Sequence, residues 1–144
     1  MERLKTKWKR VLVVVAVLLV LACFWFFTGN TELRGAAIGQ LVISSAPRMD
    51  LQKVTEDPEQ MQLFAERWNK IPCYPWFPPL GNGTIGWFRT KGEGNTHTVF
   101  ITGPHSVQFD KRSYYTPVDM TGAFPNLYAH WIDAPEEPFT GDNP

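Results

Sequence analysis

"TIGWFRTKGEGNTHTVFIT", Thr84 to Thr102, is the stretch on which the fold turns. Its halves, TIGWFRT and THTVFIT, are rich in β-branched and aromatic residues, which suit a pleated, half-buried surface. Between them KGEGN supplies a glycine-containing turn of hairpin length. The reading is a β-hairpin, with Thr84 to Thr90 paired to Thr96 to Thr102. Side chains alternate across a strand, so Trp87 and Phe88 point to opposite faces of the sheet, and one helix cannot cover both. The second ring needs another cover: the proline loop upstream, the tail around Tyr128 and Trp131, or a partner.

The helix that covers the first face is written just upstream, in DPEQMQLFAERWNK. Asp57 suits an N-cap and Pro58 the first helical position, and Gln60 completes a capping-box-like pattern. Met61, Phe64, Ala65 and Trp68 recur at helical spacing and form one apolar stripe, with Glu59, Gln62, Glu66 and Asn69 off it. Asn69, Lys70 and Pro72 end the run.

Further outward, Met49 to Thr55 reads as an edge strand, and TELRGAAIGQLVISSAPR before it begins as a small-residue linker and then collects Leu41, Val42 and Ile43, a strand or a helical continuation that periodicity does not separate, read as an extended segment. CYPWFPPLGNGT carries Pro75, Pro78 and Pro79 among Tyr74, Trp76 and Phe77, so it reads as a loop without regular ladders. HSVQF and KRSYY add at least one more strand. From Asp133 onward the chain turns acidic and proline-rich, the composition of a solvated tail. The order strand, helix, proline loop, hairpin, strand predicts an α+β fold: a small antiparallel sheet with one amphipathic helix packed on a face. VTEDPEQMQLFAERWNK followed by two strands is similar to the strand-helix-hairpin arrangement of small extracytoplasmic modules in bacterial lipoproteins and anchored envelope proteins. The resemblance covers about half of the outer part and implies no activity.

Before all of this lies VLVVVAVLLVLACFWFF, Val11 to Phe27, with no charge, proline or glycine. At about 1.5 Å per residue the run approaches the thickness of a hydrocarbon core, and aromatic residues at both ends suit the interfaces. Arg3, Lys5, Lys7, Lys9 and Arg10 precede it, whereas only Glu32 and Arg34 follow closely. The positive-inside bias then keeps residues 1–10 cytoplasmic and sends the remainder across the inner (plasma) membrane. The rival is a cleaved signal, because Val20-Leu21-Ala22-Cys23 resembles a bacterial lipobox with Cys23 as the lipidated residue. Phe24 to Phe27 weigh against it, since they prolong the bilayer-soluble run. The expected layout is a basic tip over 1–10, a transmembrane helix over 11–27, a linker over 28–48, an α+β domain over 49–132 and an acidic tail over 133–144.

The whole chain is formally neutral, with fourteen basic and fourteen acidic side chains. Residues 31–144 hold nine of the basic and thirteen of the acidic ones, so the outer domain is acidic and offers nucleic acid no basic patch. Cys73 is the only cysteine outside the anchor, which leaves no intradomain disulfide, and its IPCYPW setting provides no base to activate a thiol. His97, His105 and His130 match no compact zinc spacing, and the glycines of PLGNGTIG and TKGEGN lack a phosphate-loop lysine. No metal, cofactor or catalytic residue is therefore assigned. A small hydrolase using His105, Ser106 and Asp110, or His130 and Asp133, is the enzymatic alternative, without a nucleophile elbow to support it. Aromatic density carries the main expectation: Trp76, Phe77, Trp87, Tyr128 and Trp131 are the candidate binding residues of an envelope accessory module that engages another protein.

Overall fold

The computed structural model describes residues 2–27, 30–76, 83–93, 96–130 and 132–139. The chain divides between Asn30 and Thr31 into two units. The first is helix α1, Glu2–Phe27. Its segment Lys5–Trp25 is 21 residues of helix, long and apolar enough to cross a membrane. At 1.5 Å per residue that is about 32 Å, against about 30 Å for a hydrocarbon core. The large apolar side chains from Val11 to Leu21 are all exposed.

The second unit is α+β. Its elements are β1 (Gln40–Ser45), β2 (Leu51–Thr55), α2 (Pro58–Asn69), β3 (Tyr74–Pro75), β4 (Gly86–Lys91), β5 (His97–Gly103), β6 (Ser106–Phe109), β7 (Arg112–Tyr115), α3 (Met120–His130) and β8 (Glu136–Pro138). The strands form one eight-stranded sheet in the order β3-β7-β6-β5-β4-β1-β2-β8, antiparallel at each pairing. The expected hairpin is present as β4 and β5, with Phe88 opposite Val99. HSVQF and KRSYY are a second hairpin, β6 and β7, turned by Asp110 and Lys111 at φ 48° and 69°. Positive φ at both central residues is what a two-residue turn of this hand requires.

Both helices lie on the face that carries Phe88. The row Ile43, Phe88, Val99, Phe109 crosses four strands on this face. Phe88 meets Phe64 of α2 edge-on at 5.1 Å, Trp68 of α2 at 4.8 Å and Phe124 of α3 in a stack at 6.3 Å. The α2 stripe read from the sequence, Met61, Phe64, Ala65 and Trp68, is the buried one. Asp57 caps α2 by accepting from the Glu59 N–H at 3.0 Å. The capping box does not form: Gln60 donates instead to the Asp133 carbonyl at 3.2 Å, and the Asp57 N–H goes to Thr55 Oγ1.

Four expectations are corrected by the sheet. The linker assigned to 28–48 contributes β1, a central strand, because Leu41 and Ile43 are fully buried in the core. Its first part is also packed, with Leu33 gripped by the Asn69 amide, which accepts from the Leu33 N–H and donates to its carbonyl, both at 2.8 Å. Met49 to Thr55 is not an edge, since β8 pairs with β2 on its outer side. The acidic tail is therefore structured as far as Phe139 among the described residues, and the domain does not end at 132. The proline loop carries a short ladder of its own, β3 against β7, at the sheet margin where a proline can sit.

Helix α3 was not anticipated. Gly122 and Pro125 argue against a helix locally, yet Met120, Phe124, Leu127 and Tyr128 are its buried residues and fall at i, i+4, i+7 and i+8. Asp119 starts it by accepting from the Thr121 N–H at 3.0 Å. Lys53 ends it: from the helix face of β2 its Nζ donates to the carbonyls of Tyr128 at 2.8 Å and Ile132 at 3.1 Å, and lies 4.6 Å from the Tyr128 ring centroid. A buried cation at a helix C-terminus satisfies free carbonyls and opposes the negative end of the helix dipole.

Phe124 has room to stack because Gly86, on the same face of β4, has no side chain. A Cβ there would overlap the Phe124 ring and come within 2.9 Å of the Ser44 carbonyl oxygen. Gly86→Ala should therefore destabilise the domain by about 2 kcal/mol, the cost typical of overpacking a core, measured by thermal or urea unfolding of the full chain in detergent. Stability equal to that of the parent would show that Phe124 can move aside freely.

Candidate functional site

The sheet face opposite α2 and α3 is the open one. It presents Gln40, Val42 and Ser44 from β1, Gln52 and Val54 from β2, Trp87, Arg89 and Lys91 from β4, and Thr98 and Phe100 from β5, by strand alternation from the registers. Neither α2 nor α3 covers it. Among the described residues three regions on it are concave: one of about 230 Å³, lined by Thr98, Phe100, Gln108, Asp110 and Lys111, lies over β5 and β6, and the other two lie toward the ends of the sheet.

The first of these two lies at the β3 end. Tyr74 pairs with Tyr115 in register and Trp76 follows two residues later, so all three rings share this face. They are 47%, 37% and 43% exposed, respectively. Trp76 is held by its N–H, which donates to the Ser113 carbonyl at 3.0 Å, and its ring sits 6.0 Å from that of Tyr115. His105 closes the group 6.1 Å from Tyr115, its Nδ1 3.1 Å from the Thr116 carbonyl oxygen. Trp76, Pro104, His105 and Tyr115 line a cavity of about 320 Å³ that is largely apolar. Exposed rings around an apolar hollow suit insertion of a side chain from another molecule.

The second lies at the β8 end and measures about 220 Å³. Val42, Val54, Trp87 and Phe139 give it apolar surface, while Arg89 and Lys91 on one side and Gln52 and Glu137 on the other make it polar. Gln52 donates to Glu137 at 3.2 Å, so the carboxylate of the cleft is already engaged.

The five aromatic candidates separate. Trp76 is exposed in the first hollow. Trp87 is on the open face but only 7% exposed, because Phe139 packs edge-on against it at 5.6 Å. Tyr128 is on the other face altogether, buried over Lys53 and donating its hydroxyl to Glu136 Oε1 at 3.0 Å. Phe77 and Trp131 lie outside the described residues. Tyr115 and His105 were missed as partners of Trp76, because strand pairing alone brings Tyr115 beside Tyr74; the KRSYY pattern marked the strand but not its neighbour.

The residues of the hydrolase alternative also part. Asp110 accepts from the Thr98 N–H at 2.8 Å and lies 2.6 Å from His97 Nδ1, not with His105. Ser106 is buried and its hydroxyl is 2.7 Å from that of Thr102. His130 is exposed at the end of α3. Among the described residues no three metal-ligating side chains converge. Cys23 stands exposed on α1. Comparison with protein-family models, curated proteins and solved structures gave no match.

Cys73 precedes β3 and packs partly buried against the core. Burial pushes its thiol up to about 11, against the smaller opposing pull of a hydrogen bond with Thr31. Burial and the neighbouring Glu136 carboxylate likewise push the Tyr128 hydroxyl up to about 12. An unfolded thiol releases its proton near 9.0 and an unfolded tyrosine near 10.0, while the folded groups keep theirs to about 11 and about 12. Their contribution to stability is thus complete below pH 9 and is lost as pH rises from 9 to 12. Iodoacetamide at pH 8 should alkylate Cys73 at least about tenfold more slowly in the folded chain than in denaturant, because the thiolate is the nucleophile. Equal rates, read by mass spectrometry, would mean an accessible, ionised thiol.

Proposed function

We propose that this chain is a single-pass, membrane-anchored module of the cell envelope whose outward α+β domain binds another protein. In this reading α1 crosses the inner (plasma) membrane with residues 1–10 in the cytoplasm, and the chain from Thr31 onward works on the far side. The observation that carries the binding role is the exposed cluster of Tyr74, Trp76 and Tyr115 around an apolar hollow on the open sheet face. Large rings at exposed positions are enriched at the centres of protein interfaces, where a few of them dominate affinity. The anchor reading is supported by the length and composition of α1 and by the five basic residues at its start.

The lipoprotein alternative keeps the same domain and changes only its tether. Phe24 to Phe27 prolong the apolar run past Cys23, which favours the uncleaved form. The intact mass of the protein from its own membrane should be that of the full chain with Cys23 unmodified. A mass corresponding to a chain that starts at a lipidated Cys23 would replace the helical anchor with a lipid one.

Trp76→Ala combined with Tyr115→Ala should lower recovery of the bound protein by about tenfold or more when the full chain is purified from its solubilised membrane, the scale of a lost aromatic hot spot. Both rings lie outside the core, so thermal unfolding should stay near that of the parent. Unchanged recovery with unchanged stability would remove the aromatic cluster as the binding surface.

A further inference from the structure

The cleft at the β8 end carries a charge pattern that the aromatic hollow does not. Trp87, Arg89 and Lys91 alternate along β4 and so project from the same face. Arg89 is half-buried and Lys91 exposed. Among the described residues neither cationic head has an ion pair or hydrogen bond. Their cross-strand neighbours are neutral: Val42 and Thr98 stand opposite Arg89, and Gln40 opposite Lys91. Glu137, which lines the same cleft, accepts from Gln52 at 3.2 Å, and Glu56 accepts from Gln40 at 3.0 Å. The two cations stand together in a domain that holds thirteen acids against nine bases. The lining of the cleft thus sets Arg89 and Lys91 against the single carboxylate of Glu137, a net positive charge on an acidic domain.

We infer that this cleft binds an acidic peptide segment in extended form, with carboxylates two residues apart, one on Arg89 and one on Lys91. Residues two apart on a strand are separated by about 6.6 Å, so an extended Glu-x-Glu segment presents its carboxylates at the spacing of the two cations. Arg89 offers the planar fork that grips a carboxylate through two hydrogen bonds. Lys91 supplies a mobile point charge beside it. The residue between the two acids faces away from the cleft, which leaves its identity free.

Size and shape favour a peptide over the other carriers of a carboxylate. A volume of about 220 Å³ is below the roughly 300 Å³ at which pockets begin to enclose drug-sized ligands. An acidic sugar would seek an exposed ring face for stacking, and Trp87 has only 7% of its surface free because Phe139 lies against it. This site is separate from the Trp76 hollow and does not depend on it.

The test uses the full chain in detergent micelles or nanodiscs and a fluorescent, end-blocked hexapeptide that alternates glutamate with valine. Its counterpart, alternating lysine with valine, is the control. Anisotropy should show saturable binding of the glutamate peptide that weakens steeply with added salt, and at least tenfold weaker binding of the lysine peptide. Lys91→Gln, at an exposed position, should weaken binding at least threefold, and Arg89→Gln at least tenfold. Reversal to Arg89→Glu with Lys91→Glu should exchange the preference for the lysine peptide. Trp76→Ala should leave all of this unchanged, which separates this site from the aromatic hollow. Absence of saturable binding, equal binding of the two peptides, or affinities unmoved by K91Q and R89Q would overturn the inference. So would free glutarate competing as strongly as the peptide, which would make this a small-molecule site. Concentration-dependent self-association lost in K91Q, or a tenfold gain in affinity on deleting residues 140–144, would assign the cleft to the chain itself and overturn it equally.

Discussion

The domain is organised around the packing of Phe88. Its ring is fully buried and is contacted by Phe64 and Trp68 from one helix and by Phe124 from the other. A single strand position thus seats both helices on one face of the sheet. Gly86 lets Phe124 approach the strand, and Lys53 holds the far end of α3 through two carbonyls. Replacing Lys53 with an apolar residue would leave those acceptors unsatisfied, at a cost of about 1–3 kcal/mol for each.

Because both helices are committed to that face, the opposite face keeps what a solvent-facing sheet can tolerate: amides, hydroxyls, two cations and a few rings. The acidic tail completes both sides. Glu136 accepts from the Tyr128 hydroxyl on the helix side, and Phe139 covers Trp87 on the open side. β8 and the residue after it thus serve as a clasp: alternation along the extended chain sends Glu136 and Phe139, three residues apart, to opposite faces. The strand also covers the outer edge of β2, which would otherwise present unpaired backbone groups to other chains.

Two of the concave regions of the open face lie toward opposite ends of the sheet and differ in chemistry. One is aromatic and apolar, the other cationic with an apolar floor. A surface of this kind suits recognition of a polypeptide by a side-chain anchor at one end and charge at the other, which agrees with the role proposed for an anchored accessory module. His97 and Asp110 brace the β6–β7 turn, and His105 lies against the Thr116 carbonyl.

Local periodicity made the apolar length of α1, the α2 stripe with its Asp57 cap and the β4–β5 hairpin legible from the sequence. Each rests on contacts between residues close in the chain, where propensity and spacing act directly. It also showed that Trp87 and Phe88 must face opposite ways and need separate covers. Helix α3 was hidden by Gly122 and Pro125, although its buried residues keep a helical spacing. What only the tertiary structure decided were the partners: that Phe139 covers Trp87, that Tyr128 turns inward to Lys53, that a supposed linker supplies a central strand, and that Tyr115 stands beside Trp76. These are pairings between distant segments, such as Lys53 with Ile132, 79 residues apart. They follow from the one arrangement that buries all the apolar stripes together while satisfying the backbone, and no local pattern of residues encodes which strand lies next to which.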